Sequence, residues 1–280
     1  SLSFIGDPRQ ILTNSYAAFT PSLSVLYDWS DEVATYASLS TGYRPGGVTG
    51  GFRNGAAVTV PYDEEDVLSY EVGVKSSFLD GAFSLNASLF LIEYDSIQVP
   101  IPTTFSTFPD GRIDFSTISG GGIANAASAL SEGAELSFVA KPFSGLTING
   151  ALGYTNARFL QYIDPNGANL AGQGRPNAPY FTNSLAADYE FARHIGQFAP
   201  FIRGELNGTS AFSGTPGVTS ALGDYNLFNL RTGIRGERFD VTLFVENLFD
   251  ERYVIETIRG GTLGTPGQPR KFGFIVSARF

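Results

Sequence analysis

The feature that most constrains this chain is a period-two alternation, clearest near the C-terminus. Phe239, Val241, Leu243 and Val245 are apolar, and Asp240, Thr242 and Glu246 between them are polar. The final run repeats the pattern. Phe272, Phe274, Val276, Ala278 and Phe280 share one face, and Lys271, Gly273, Ser277 and Arg279 share the other. Successive side chains of a strand point to opposite faces, so each run reads as a strand with one apolar face. A sheet with lipid on one side and water on the other has this pattern. So does a sandwich closed on a partner sheet, and alternation alone does not choose between them.

The same period recurs along the chain. Leu68, Tyr70, Val72, Val74 and Phe78 oppose Ser69, Glu71, Lys75 and Ser77; Phe83, Leu85, Ala87, Leu89 and Leu91 oppose Ser84, Asn86 and Ser88. With runs at 21–28, 33–43, 133–141, 146–158, 180–191, 197–210 and 224–235, about eleven strands are predicted, mostly about 9–12 residues long. That length suits a tilted strand crossing a hydrocarbon layer. Short turns, such as Leu79-Asp80-Gly81, alternate with long segments near 44–66, 100–131, 159–179, 211–223 and 251–268. Outer-membrane barrels alternate short periplasmic turns with long external loops in this way. A sandwich has no reason to. Aromatics gather at both strand ends, Tyr27, Trp29, Phe78, Phe83, Phe143, Phe191, Phe198 and Phe239 beside short turns, and Tyr43, Tyr70, Tyr94, Tyr154, Phe181, Phe228, Tyr253 and Phe272 beside long ones. Two such belts are the girdles of two membrane interfaces.

Composition removes other classes. A formal charge of -9 on 280 residues argues against a nucleic-acid partner. Cysteine is absent, so neither a disulfide framework nor a thiolate metal site is expected. No apolar run approaches the roughly 20 residues of a membrane helix. His194 is the only histidine and falls in a short turn, so no Ser–His–Asp set can be assembled; neither an enzyme nor a cofactor is expected. The acidic run Asp63-Glu64-Glu65-Asp66 reads first as a solvated cluster and second as a set of oxygen ligands for a calcium ion. Methionine is absent and no leader is visible at Ser1, which suggests a piece of a longer protein.

Asn247-Leu-Phe-Asp250, Tyr253, a glycine-rich segment and then GQPRKFGFIVSARF to Phe280 resemble the C-terminus of the TonB-dependent outer-membrane receptors. Phe19–Trp29, Tyr36–Gly47, Ser69–Ser76, Gly133–Phe138 and Asn229–Gly236 also look like barrel segments of that family. The resemblance implies an all-β, antiparallel transmembrane β-barrel of the plugged, 22-stranded kind. Residues 1–280 would be its C-terminal portion, an open curved sheet of about eleven strands, without the plug, the TonB box or the first strands. The implied function is import of a ferric siderophore or similar scarce solute across the outer membrane of a Gram-negative bacterium, energised through TonB. The implied partners are outer-membrane lipid, TonB and the plug through the missing N-terminal part, and the barrel assembly machinery, which reads the terminal Phe280. A passive porin-like channel and a soluble extracellular sandwich used in adhesion are the alternatives.

Two residue sets follow. Glu71, Lys75, Glu135, Arg203, Glu205, Arg231 and Glu246 lie opposite the apolar faces, and a charge on the lipid face near the midplane costs about 2–4 kcal/mol, so they are predicted to face the lumen, contact a plug and hold water. Tyr43, Arg44, Arg112, Tyr162, Arg175 and Arg259, in loops and upper wall, are the predicted ligand contacts. Arginine and tyrosine suit an anionic or catecholate-like ligand through charge-assisted bonds and stacking.

Overall fold

The alternating runs pair into one antiparallel sheet. The computed structural model describes residues 17–53, 56–101, 104–107, 113–114, 122–164, 167–214, 222–258 and 263–279. Numbered in chain order, the wall strands are β1 (Ser22–Asp28), β2 (Val33–Arg44), β5 (Glu65–Phe78), β6 (Phe83–Ile101), β9 (Gly122–Ala140), β10 (Leu146–Tyr162), β11 (Phe181–Glu190), β12 (Ala199–Thr209), β13 (Tyr225–Arg235), β14 (Phe239–Glu246) and β17 (Lys271–Ala278). Each pairs with the next, giving 11 strands in the order β1-β2-β5-β6-β9-β10-β11-β12-β13-β14-β17. The two ends, β1 and β17, do not pair with each other, so the sheet is open. Between wall strands lie two smaller sheets: β3 (Gly47–Arg53), β4 (Ala56–Tyr62), β7 (Thr104–Thr107) and β8 (Ile113–Asp114) form one, and β15 (Val254–Ile258) and β16 (Leu263–Pro266) the other.

Register decides which side chains share a face. Val25, Ala37, Val72, Leu89, Ala134, Tyr154 and Phe181 form one cross-strand row. Leu68, Val74, Leu85, Ile148, Leu152, Val241, Leu243, Phe274 and Val276 fall on the same face, and Ser69, Glu71, Ser84, Asn86, Asn149 and Thr242 on the other. The apolar face is uncovered: Leu89 is 60% exposed, Leu243 56% and Phe274 72%. A sandwich would bury this face against a second sheet. A bare apolar face of this extent suits lipid. Asn183 and Asn226 interrupt it, meeting over Gly208.

The aromatic belts appear as ring contacts at opposite strand ends. Tyr27 meets Trp29 at 4.6 Å, Phe78 meets Phe83 at 6.4 Å, and Tyr189 meets Phe191 at 4.8 Å beside short turns. Tyr154 meets Phe181 at 5.1 Å, Tyr225 meets Tyr253 at 4.4 Å, and Phe228 meets Phe249 at 5.8 Å at the long-loop end. Phe280 lies outside the described residues.

Two strands are longer than their periodicity predicts. β6 continues to Ile101 and β9 begins at Gly122, where a loop over 100–131 was expected. Ala124, Ala127, Ala129 and Ser131 carry no alternation, because small side chains buried on an ordered loop need not alternate with polar ones. Their backbone still pairs with β6, through register shifts between Tyr94 and Gln98. Likewise 44–66 and 251–268 were expected as loops and hold the β3/β4 and β15/β16 hairpins.

Close packing of rings over glycine ties neighbouring strands. The Tyr36 ring lies over Gly73, and the Phe90 ring over Gly133. A Cβ at Gly133 would strike both Phe90 and the Tyr154 carbonyl. Gly133→Ala is therefore expected to destabilise the wall by about 1–3 kcal/mol, read as a lower denaturant midpoint. Phe90→Ala in the same background should relieve part of the loss.

Candidate functional site

The hydrophilic face carries all seven charges singled out from the sequence, and the register sorts them into two unlike groups. On β12 to β17 they form a ladder. Arg203 and Arg231 sit directly opposite each other, an arrangement that repels unless an acid intervenes. Glu205 intervenes: Arg203 Nε donates to its Oε1 at 2.8 Å, and Arg231 Nη1 donates to its Oε2. Arg231 continues to Glu246 at 3.7 Å, and Lys271 Nζ approaches the same carboxylate at 3.5 Å. Nearer the short turns, Arg235 forks onto Asp188 at 2.9 and 3.1 Å, reaches Glu190 at 3.3 Å, and stacks 3.9 Å over the Phe201 ring. Arg279 pairs with Asp240 at the lower corner. The alternation puts Lys271, Asp188, Glu190 and Arg235 on this face too; only the register brings their partners within reach.

Glu205 bridges two arginines with its side chain 19% exposed. Glu205→Ala is expected to cost about 1.5–3 kcal/mol, the worth of hydrogen bonds to a charged group. Arg203→Ala combined with it should recover part of that cost, as a double-mutant cycle on unfolding would show.

On β2 to β9 the charges are not laddered. Tyr36 Oη donates to Glu71, Lys75 Nζ lies 5.3 Å over the Tyr36 ring, and Glu135 sits across the sheet from Ser88 and Gly153. Among the described residues none of Glu71, Lys75 and Glu135 takes part in a salt bridge. Tyr36, Glu71, Lys75, Ser88, Glu135 and Ser137 line a hollow in this face.

At the long-loop end β6, β9 and β10 run past the apolar band and build a cap. Ile97, Val99, Ala127, Ala129, Phe159, Tyr162 and Leu170 form its buried cluster. Buried Gln98 donates through Nε2 to the carbonyls of Arg44, Pro45 and Asp63, and its N–H donates to Glu65 Oε2. Asn125 Nδ2 donates to the carbonyls of Asp63, Glu64 and Ser96, and its Oδ1 accepts from Asp63 N–H. The acidic run thus serves, through its backbone and Glu65, as the anchor of the β2–β5 connection.

The predicted ligand contacts divide. Arg44, Tyr162 and Arg175 converge on the cap: the Arg44 carbonyl is held by Gln98, Tyr162 is 7% exposed in the cluster, and Arg175 stacks 4.5 Å over Tyr94. Burial, with the Asp164 carboxylate adding, pushes the Tyr162 phenol above its ordinary value. Tyr43 falls on the apolar face with Leu39, four residues along the same strand, so its ring belongs to the girdle and points away from the hydrophilic side. Arg112 and Arg259 lie outside the described residues.

Asn-Leu-Phe-Asp, met first as a family signature, has a mechanical role. Asn247 is 4% exposed. Its Nδ2 donates to the carbonyls of Glu251 and Gln268, and its Oδ1 accepts from Glu251 N–H. Leu248 N–H donates to Phe228, and Asp250 Oδ1 accepts from Arg270 N–H. Both ends of the last long connection are thereby pinned beside β17.

The family model described as "TonB dependent receptor-like, beta-barrel" matches residues 3–248. The chain is 29% identical over 274 residues to the metal-pseudopaline receptor CntO of Pseudomonas aeruginosa (strain UCBPP-PA14), covering 94% of this chain and 34% of CntO. It is 28% identical over 255 residues to the ferric-pyoverdine 358 receptor of Pseudomonas putida, covering 90% of this chain and 28% of that receptor. Among solved structures it resembles the ferric yersiniabactin uptake receptor FyuA from Yersinia pestis, with a TM-score of 0.73 and 19% identity over 92% of this chain and 37% of FyuA. BauA, the ferric preacinetobactin receptor of Acinetobacter baumannii, gives the same TM-score of 0.73 at 17% identity, over 97% of this chain and 38% of BauA. At these identities the structural likeness speaks for the fold. The chain spans about a third of the length of CntO and of FyuA.

Proposed function

The chain belongs to the TonB-dependent receptor-like β-barrel family, and from that premise we propose that it forms part of the wall of an outer-membrane receptor importing a ferric siderophore or a similar metal chelate. The observation that carries this reading is the two-faced open sheet, bare and apolar on one side, charged and polar on the other. Such a sheet is stable with lipid outside and water inside. The relatives, a metal-pseudopaline receptor and a ferric-pyoverdine receptor, support the substrate class.

In this reading residues 1–280 are the C-terminal portion of the barrel of a Gram-negative bacterium, and the rest of the protein supplies the remaining wall strands and a plug. TonB energises transport through that other part. Arg44 and Arg175, at the cap, are the residues proposed to meet an anionic chelate.

The test is uptake of radiolabelled iron, presented as hydroxamate and catecholate chelates, by cells that carry the full receptor as their sole route. Uptake that collapses when the proton-motive force is dissipated supports the reading. Uptake indifferent to it identifies a passive channel instead.

A further inference from the structure

We infer that a hollow on the outward face, at the long-loop end of β2, β5 and β6, docks a basic segment of another polypeptide through an apolar anchor. The inference goes beyond the receptor reading and needs from it only that Tyr43 marks the level of the lipid headgroups.

The hollow has a volume of about 640 Å³, within the range of about 300–1,000 Å³ found for binding clefts. Phe19, Tyr43, Leu68 and Leu160 supply its apolar lining. Phe19 is 90% exposed, and the chain beside it is held to β2, where the N–H and the hydroxyl of Thr41 both donate to the Pro21 carbonyl. Parity puts Asp66 on the same face as Leu68, and Glu93 and Asp95 on the same face as Leu89 and Leu91. The register then sets Asp66 directly opposite Asp95, and Glu93 opposite Leu68. Like charges directly opposite each other repel. All three carboxylates are exposed, and among the described residues none takes part in a salt bridge. Asp95 accepts the N–H of Ser96. Arg158, along the same row as Glu93, is committed to Glu132.

This combination selects the occupant by charge and by polarity together. An anionic lipid headgroup would add to the repulsion among the three acids. A small hydrated cation would leave the apolar lining in water, and among the described residues no group of acids is arranged to hold a metal ion. A basic segment meets both needs. Its arginines or lysines give the carboxylates the charge-assisted hydrogen bonds they lack, and a tryptophan or leucine among them covers Tyr43, Leu68 and Leu160. An aromatic anchor flanked by arginine is the usual energetic centre of a protein interface.

The probe is a short fluorescein-labelled peptide with arginines flanking one tryptophan, titrated by anisotropy against the full receptor in zwitterionic detergent, with protein-free micelles as the blank. Asp66→Asn combined with Glu93→Gln is expected to weaken binding about tenfold or more, and so is replacing the tryptophan of the probe by serine. Leu160→Ser should weaken the tryptophan probe and leave the serine probe unchanged. Glu71→Gln combined with Glu135→Gln removes the same charge from the opposite face and should change binding by less than about twofold. Asp66→Asn alone should raise the denaturant midpoint, because it relieves the repulsion from Asp95, and this separates lost docking from lost folding. Binding unchanged by the Asp66 and Glu93 substitutions, equal losses from the two pairs, indifference to the tryptophan, or a lower midpoint for Asp66→Asn would overturn the proposal. So would binding of anionic vesicles in magnesium with none of the peptide, which would make the hollow a headgroup site. Failure of the receptor reading shows separately, as iron uptake that survives loss of the proton-motive force.

Discussion

Replacing Leu89 by arginine is expected to destabilise the wall by about 2–4 kcal/mol, the cost of a cation on the lipid face near the midplane. Leu89 is 60% exposed and lies within the apolar stretch of β6, flanked on its face by Val72 and Ala134. The nearest acid on that face, Glu132, is already paired with Arg158 and bonded to Asn156. Ser88→Arg, one residue away, places the same group on the other face, near the Glu71 and Glu135 carboxylates, and should be close to neutral. The pair is read by the denaturant midpoint of the full receptor refolded into lipid vesicles. A loss at 89 with none at 88 is the signature of a two-faced wall. Equal losses would mean that both faces are packed against protein.

The second large effect is expected at Asn247. Asn247→Ala removes two donors and one acceptor from a nearly buried site and strands the carbonyls of Glu251 and Gln268. Each buried group left unsatisfied costs about 1–3 kcal/mol. The backbone adds to this, since Asn247 has φ 51, a left-handed conformation that asparagine tolerates and alanine does not. Asn247→Gly removes the side-chain bonds but keeps the backbone at ease, so it should lose less than Asn247→Ala. Heat-modifiable mobility of the folded receptor, with hydrogen exchange of Phe272–Val276 as the local readout, separates the contributions. Loss of protection in β17 ahead of β14 would show that the motif sets the position of the terminal strand.

Much of this protein was legible because the physics of a membrane wall is local. A strand with lipid on one face and water on the other must alternate, so Val72 and Leu89 announced one face and Glu71 and Ser88 the other without reference to any partner. The alternation of short turns and long connections, and the aromatics at their levels, were likewise readable along the chain. The long strand at Gly122–Ala140 was not, because alanine and serine buried under an ordered cap carry no alternation. Residue type alone likewise does not give the face of Tyr43: a tyrosine suits a chelate, while its parity on β2 puts it on the apolar side.

What the residues determined by themselves is therefore the face each side chain takes, since that follows from parity within one strand. What only the tertiary structure decided is who meets whom. Arg203, Glu205 and Arg231 are a ladder because β12 and β13 pair in one register; a slip of one residue would separate them. Glu71 and Glu135 belong to the same face and residue class as Glu205, yet among the described residues neither takes part in a salt bridge. Asn247 closes on Gln268 across the whole last connection. Alternation is a property of neighbours in sequence, whereas pairing depends on cross-strand register, a distance that no single strand encodes.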